Sequence, residues 1–221
     1  MMEPVASPNH SEGEIFLKRR RIYGPDVRLI EKDGILLVEK TYRDRPLPVR
    51  VAGRLLIRWE TFVYSKLSGI PGIPVLATSP DRYTITTTFM GGGNLRARAR
   101  RTPDSRYFDE LERLIDAVHE RGVIHLDLRN RRNYGIDDMG RPYLVDFASS
   151  LYLPNKGLLW RLLRHIDLMG LAKLKAKVNP ALIRPGERRA HALGRTLSRL
   201  WIPPRVLRFV RGWLSGILRR P

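Results

Sequence analysis

The chain has 221 residues, a formal net charge of +19 and no cysteine. Missing thiols exclude disulfides and thiolate zinc sites, which suits a reducing compartment such as the cytoplasm. Hydrophobic residues make up 43%, ordinary for a globular protein, and no apolar run reaches the length of a membrane span.

Residues 1–13 are polar, with Pro4, Ser7, Pro8 and Asn9, and lack the apolar stretch of a signal peptide. They are expected to be a flexible N-terminus. Glu14 to Lys18, Asp26 to Ile30 and Gly34 to Lys40 then read as three strands. Tyr23-Gly24-Pro25 separates the first two, and Asp33-Gly34 is a strong two-residue hairpin signal between the others. Arg54 to Phe62 is helix-like and carries Glu60. Thr86 to Met90 is a short strand, followed by the flexible run Gly91-Gly92-Gly93. Phe108, Leu111, Leu114, Ile115 and Val118 fall at helical spacing, with Gly122 as a stop.

The chemistry sits next. Val123 and Ile124 lead into His125-Leu-Asp127-Leu-Arg-Asn-Arg-Arg-Asn133, and Asp146-Phe147-Ala148 follows thirteen residues after Asn133. Between them, Asn133 to Ile136 and Tyr143 to Val145 read as a hairpin turned by Asp137-Asp138-Met139-Gly140. Phosphoryl transfer asks a protein for a carboxylate near the acceptor hydroxyl and for oxygen ligands that hold Mg2+ against the nucleotide phosphates. Asp127 suits the first task. Asn133 and Asp146, both hard-oxygen donors, suit the second. Any one of these residues alone reads as a cap or a solvated loop side chain. Their separation, with a helix before and a hairpin between, favours the chemistry.

On these residues the chain resembles the protein-kinase-like superfamily, and within it the short bacterial lipopolysaccharide kinases and the RIO-like kinases. The resemblance runs from about Ile15 to about Leu153 and is strongest from His119 to Ser149. It implies an α+β, two-lobed fold: a small antiparallel-sheet lobe over residues 14–90, a reduced helical lobe whose catalytic core covers 91–154, and a basic helical segment over 155–221. It implies ATP and Mg2+ as cofactors. Asp127, with His125, would form the catalytic group, and Asn133 and Asp146 would hold the metal. Lys40 would grip the nucleotide phosphates with Glu60 as its ion-pair partner.

Three departures stand out. Asn133 lies six residues after Asp127 where the common pattern has five, so either the loop bulges or Arg132 takes that place. Ala148 replaces a glycine, which restricts the backbone. Leu126 replaces the arginine that usually pairs with an activation-loop phosphate, so no such switch is expected. No Gly-x-Gly-x-x-Gly occurs. The turn over the nucleotide would be Arg19 to Gly24, and the glycine run would be a hinge.

Beyond Asn155 the composition shifts. Residues 155–221 hold sixteen Lys or Arg against Asp167 and Glu187, and so carry +14 of the +19. Leu158, Leu159, Leu162, Leu163 and Ile166 recur at helical spacing, as do Leu168, Leu171 and Leu174. After Pro203-Pro204, the residues Val206, Phe209, Val210, Trp213, Leu214, Ile217 and Leu218 share one face flanked by arginines. Such a helix suits an anionic membrane surface, or its apolar face packs on the core. Asp167 either ties down the catalytic loop or is a surface acid. No Ala-Pro-Glu follows Asp146, and the short basic lobe is a poor peptide cradle.

The expected activity is ATP-dependent transfer to a hydroxyl on a glycolipid or lipopolysaccharide precursor, on an anionic or lipid-linked acceptor. The alternatives are a RIO-like Ser/Thr protein kinase, a non-catalytic pseudokinase or a nucleic-acid-binding module. The charge fits RNA, yet no RNA motif is recognisable. Each Lys or Arg near an anionic surface contributes about 1 kcal/mol. Truncation before Ile202 should therefore release the protein from anionic vesicles at low salt while ATP hydrolysis persists. A full-length chain that never sediments with such vesicles contradicts the membrane expectation.

Overall fold

A computed structural model describes residues 15–18, 23–91, 93–94 and 103–183. Most of the Arg19 to Gly24 turn and the apolar stripe from Val206 to Leu218 lie outside the described residues. The chain divides into two compact units. One comprises Met1–Thr61 and Pro74–Phe89, the other Phe62–Ile73 and Met90–Pro221.

The first unit is built on strands β1 (Ile15–Lys18), β2 (Asp26–Lys32), β3 (Ile35–Thr41), β4 (Leu76–Ala77) and β5 (Thr84–Thr88). They form an antiparallel sheet in the order β1-β2-β3-β5-β4. Lys32 pairs with Ile35, so Asp33 and Gly34 alone make the turn. Both have positive φ, 52° and 74°, the mirror-image turn that matches strand twist. β5 begins two residues before the expected strand, because Thr84 and Ile85 pair with Thr41 and Lys40.

Helix α1 spans Leu47–Lys66, well beyond the helix-like stretch at Arg54 to Phe62. Pro48 sits in the first turn, where its missing N–H costs nothing. Gly53 is required where it stands: a Cβ there would lie 2.3 Å from the Tyr42 ring. Pro48 is thus an N-terminal start and Gly53 a packing contact. The last turn of α1, with buried Val63 and Tyr64, and the buried Leu67 that follows it group with the second unit.

The second unit contains a short strand β6 (Gly93–Asn94), helix α2 (Ser105–Glu120), β7 (Val123–Ile124), the hairpin β8 (Tyr134–Ile136) and β9 (Pro142–Leu144), β10 (Leu151–Tyr152) and helix α3 (Leu158–Val178). α2 is capped by Asp104, whose carboxylate accepts from Tyr107 N at 2.9 Å. All five apolar residues expected on its face are buried. Gly122 ends it with φ 76°. β6, β8 and β9 form one small sheet, and β7 pairs with β10.

α3 groups with this unit. Its leucine stripe is only partly core. Leu158, Leu159 and Leu162 are 74%, 58% and 59% exposed, whereas Ile166, Asp167, Gly170, Leu171 and Leu174 are buried. The buried face therefore centres on an acid and a glycine, which hydrophobic spacing does not reveal. No helix among the described residues is long and apolar enough to cross a membrane.

The β8–β9 hairpin carries its own constraint. Gly135 faces Tyr143 across the pair, and a Cβ at 135 would lie 1.8 Å from the tyrosine ring. Tyr107 also donates its hydroxyl to Gly135 O at 3.1 Å. Burial, and then the nearby Asp138 and Asp137, push the Tyr143 hydroxyl up to about 12, so it stays protonated. Gly135→Ala should cost about 1–3 kcal/mol through overpacking. A urea titration of the full chain should show the loss as a lower midpoint, and an unchanged midpoint would contradict this packing.

Candidate functional site

In the second unit the segment from β7 to β8 forms a loop around Asp127. Its shape is dictated from α3. Asp167, 1% exposed, accepts from His125 N (2.8 Å) with Oδ2 and from Leu126 N (2.8 Å) with Oδ1. His119 Nε2 donates to the same Oδ2 at 3.0 Å, and His119 Nδ1 accepts from Arg164 Nε at 3.3 Å. Two adjacent amides aimed at one carboxylate force a tight turn, and Leu126 takes φ 62°. A bulky residue in the left-handed region is uncommon and is held there only by its surroundings. Of the two readings open for Asp167, the structure shows the loop anchor.

His125 is fully buried. Its Nε2 donates to Val145 O at 3.1 Å, and its Nδ1 faces Asp127 N at 3.4 Å. The ring stacks at a tilt on Phe147, with centroids 4.6 Å apart. Both ring nitrogens are thus turned to backbone.

Asp127 is half buried, with a defined carboxylate. Asn133 Nδ2 donates to its Oδ2 at 2.9 Å and to its backbone O at 3.1 Å, and Asn130 Nδ2 approaches Oδ2 at 3.3 Å. Asn133 is itself 2% exposed. Because both of its contacts are to oxygen acceptors, the amide nitrogen must be the atom facing Asp127. That leaves Oδ1 as the oxygen available to a cation. The extra residue between Asp127 and Asn133 is absorbed by a single 3-10 turn over Arg131–Asn133, capped by Asn130, which accepts from Arg132 N at 3.3 Å. The loop bulges, and Arg132 projects exposed from the turn instead of taking the place of Asn133.

Asp146 follows β9. Val145 N donates to Asn133 O at 3.1 Å, so the residue before Asp146 is strapped to the loop through Asn133 and through His125. Asp146 adopts φ 68° and ψ 67°, and a 3-10 turn over Phe147–Ser149 follows. The left-handed position falls on Asp146 and not on Ala148, which removes the need for glycine there. Tyr64 fixes this corner: its hydroxyl meets Asp146 N at 3.4 Å, and its ring meets Phe147 edge-on at 5.2 Å.

The first unit supplies a separate constellation. Lys40, on β3 opposite Ile85, points its Nζ at both oxygens of Glu60 on α1, at 2.7 and 3.0 Å. Glu60 is 2% exposed. A buried carboxylate held by one ammonium in bidentate fashion fixes that ammonium in place.

Some contributors had no clear sequence signal. Tyr134, completely buried, donates to Leu128 O at 2.5 Å, and burial, then the charges of Asp167, Tyr107 and Asp127, raise its pKa well above the ordinary value. Gly170 lets α3 approach the loop: a Cβ there would lie 2.8 Å from Leu128 C and 2.9 Å from Leu128 O. Tyr64 sits in a helix that read as ending before it.

No family model and no curated protein matches the chain. Among solved structures it is similar to the Rio2 kinase from Chaetomium thermophilum. They share 15% identity over 90% of this chain and 71% of that one, with a TM-score of 0.57. At that identity the likeness establishes fold. The chain has a reduced protein-kinase-like fold, mixed α+β with a small antiparallel sheet and three helices among the described residues.

Asp167→Asn puts an NH2 group against one of two backbone amides. It should cost about 2–3 kcal/mol, the penalty of leaving a buried donor unpaired. The thermal midpoint should fall, while the exposed-face control Glu120→Gln leaves it in place. Equal midpoints for the two variants would remove Asp167 from its anchoring role.

Proposed function

We propose that the protein is an ATP- and Mg2+-dependent phosphotransferase with a hydroxyl acceptor. The observation that carries this reading is the double hydrogen bond from Asn133 Nδ2 to Asp127. It orients a half-buried carboxylate and leaves the amide oxygen, not the amide nitrogen, as the donor for a cation. Asp146, one residue beyond the strapped Val145, supplies a second hard oxygen. Two oxygen ligands suit a cation that shares its remaining sites with water and phosphates. The donor set therefore fits Mg2+, which when bound would neutralise charge on the nucleotide phosphates. The Lys40 ammonium, fixed by Glu60, is suited to the nucleotide phosphates. Asp127 accepts the proton of the attacking hydroxyl, and the side-chain amides of Asn133 and Asn130 keep the carboxylate from rotating away.

The likeness to a RIO kinase supports a serine or threonine hydroxyl as acceptor. A glycolipid hydroxyl is the second reading, supported by the cations Arg129, Arg131, Lys173 and Lys177 near the loop. Labelled ATP offered with a protein extract and with a lipid extract separates the two.

Asp127→Asn should keep the fold and nucleotide binding while transfer falls about 10²–10⁴-fold, the usual contribution of a positioned base. Asp146→Ala and Asn133→Ala should both raise the Mg2+ concentration needed for half-maximal rate, and Arg132→Ala should not. Lys40→Ala should raise the ATP KM or lower turnover. Wild-type rates in Asp127→Asn, measured by label transfer, would sink the assignment.

A further inference from the structure

A groove of about 310 Å³ lies beside the Asp127 loop. Arg129, Asn130 and Arg131 line one wall, and Gly170, Lys173, Leu174 and Lys177 of α3 line the other. Gly170 creates it by letting α3 touch the loop backbone at Leu128. Lys173 and Lys177 lie three and seven residues further on, and so share that helix face. Four cations line the groove and no acid does among the described residues. Lys175, the intervening lysine, points elsewhere and pairs with Glu112. Partial burial, then repulsion from Arg129 and Lys177, hold the Lys173 pKa below the ordinary lysine value. Like charges gathered in this way favour an anion between them.

Asn130 connects the groove to the chemistry, since it lines the wall and its Nδ2 approaches Asp127 Oδ2 at 3.3 Å. A group held in the groove therefore sits one side chain from the carboxylate. Guanidinium forks and a charge surplus of this size suit a phosphomonoester, which carries about −1.5 to −2 at neutral pH, better than a single carboxylate.

We infer that this groove holds a phosphate already carried by the acceptor, so that the protein phosphorylates a phosphorylated molecule. The inference rests on the phosphotransferase reading for its chemistry. The acceptor hydroxyl oxygen bonds to the γ-phosphorus of ATP, the bond from that phosphorus to the β–γ bridging oxygen breaks, ADP departs, and the hydroxyl proton passes to Asp127. The groove takes no part in these bonds and selects which hydroxyl is presented.

The test uses the full chain and the double variant Lys173→Gln/Lys177→Gln, whose two sites are exposed. Calorimetry with O-phosphoserine and glucose 6-phosphate is set against serine and glucose, and ATP hydrolysis is measured alongside. The phosphorylated probes should bind and their unphosphorylated partners should not. The double variant should raise Kd about tenfold, the loss of two partly exposed charge contacts, and leave ATP hydrolysis unchanged. Preference for phosphoserine points to a protein acceptor, and preference for the sugar phosphate to a glycosyl one. Absent binding, or equal binding by both proteins, overturns the inference whether or not ATP is hydrolysed. Binding of duplex RNA alone, lost in the variant, also overturns it. Lysine-dependent phosphate binding in a chain that never hydrolyses ATP instead overturns the phosphotransferase reading.

Discussion

One buried carboxylate organises the second unit. Asp167 sits on α3, nearly inaccessible to water, with both oxygens turned to the adjacent amides of His125 and Leu126. A buried charge is tolerable only when its lone pairs are satisfied, and three donors do so here. The same bonds hold Leu126 in a left-handed conformation that costs about 1–3 kcal/mol and would relax without them. Helix, loop and buried charge are consequently one structural element. Removing the acid leaves the loop without the force that shapes it, and adding a methyl at Gly170 moves the helix that carries the acid.

From that anchor the order passes outward through short bonds. His125 is placed by its own backbone amide and in turn holds Val145 O. Val145 N is held by Asn133 O, and Asn133 Nδ2 holds Asp127. The Asp127 carboxylate and the approach to Asp146 are thereby fixed through two shared residues, although they lie nineteen positions apart in sequence. This is what lets Ala148 stand where glycine is usual: the unusual dihedral angles are taken by Asp146, whose corner is packed by Tyr64 and Phe147.

The fold was legible wherever turn chemistry and periodicity agree. Asp33-Gly34 determined the first hairpin, the α2 face was read residue by residue, and the turn residues Asp137 to Gly140 between two short apolar runs announced the second hairpin. Legibility failed where packing overrides local preference. The first half of α1 lay outside the helix-like stretch, and the use of Gly53 beneath the Tyr42 ring is visible only in three dimensions. On α3 the leucine spacing marks the helix, but its buried face, around Asp167 and Gly170, is visible only in three dimensions. Residue types and spacing named Asp127, Asn133 and Asp146 as candidates. Whether Asn133 or Arg132 met Asp127 depended on a 3-10 turn that spacing cannot distinguish from an open bulge. The full burial of His125 was equally hidden, because a histidine two residues before an aspartate looks the same whether it is buried or exposed.

The charge of the chain acquires a local meaning beside this frame. A net charge of +19 says only that anions are attracted. Geometry narrows that statement. Lys175 is neutralised inside the unit by Glu112, and Arg164 is engaged by Asp116. Lys173 and Lys177 instead share a face with Gly170, the residue that draws α3 against the loop. The close approach that brings Asp167 to the backbone therefore also brings two lysines to the arginines that follow Asp127. Because one glycine serves both purposes, loop geometry and local charge are not independent properties of this sequence. A change that loosens the helix from the loop weakens both, whereas a change at the lysines alone leaves the carboxylate in place.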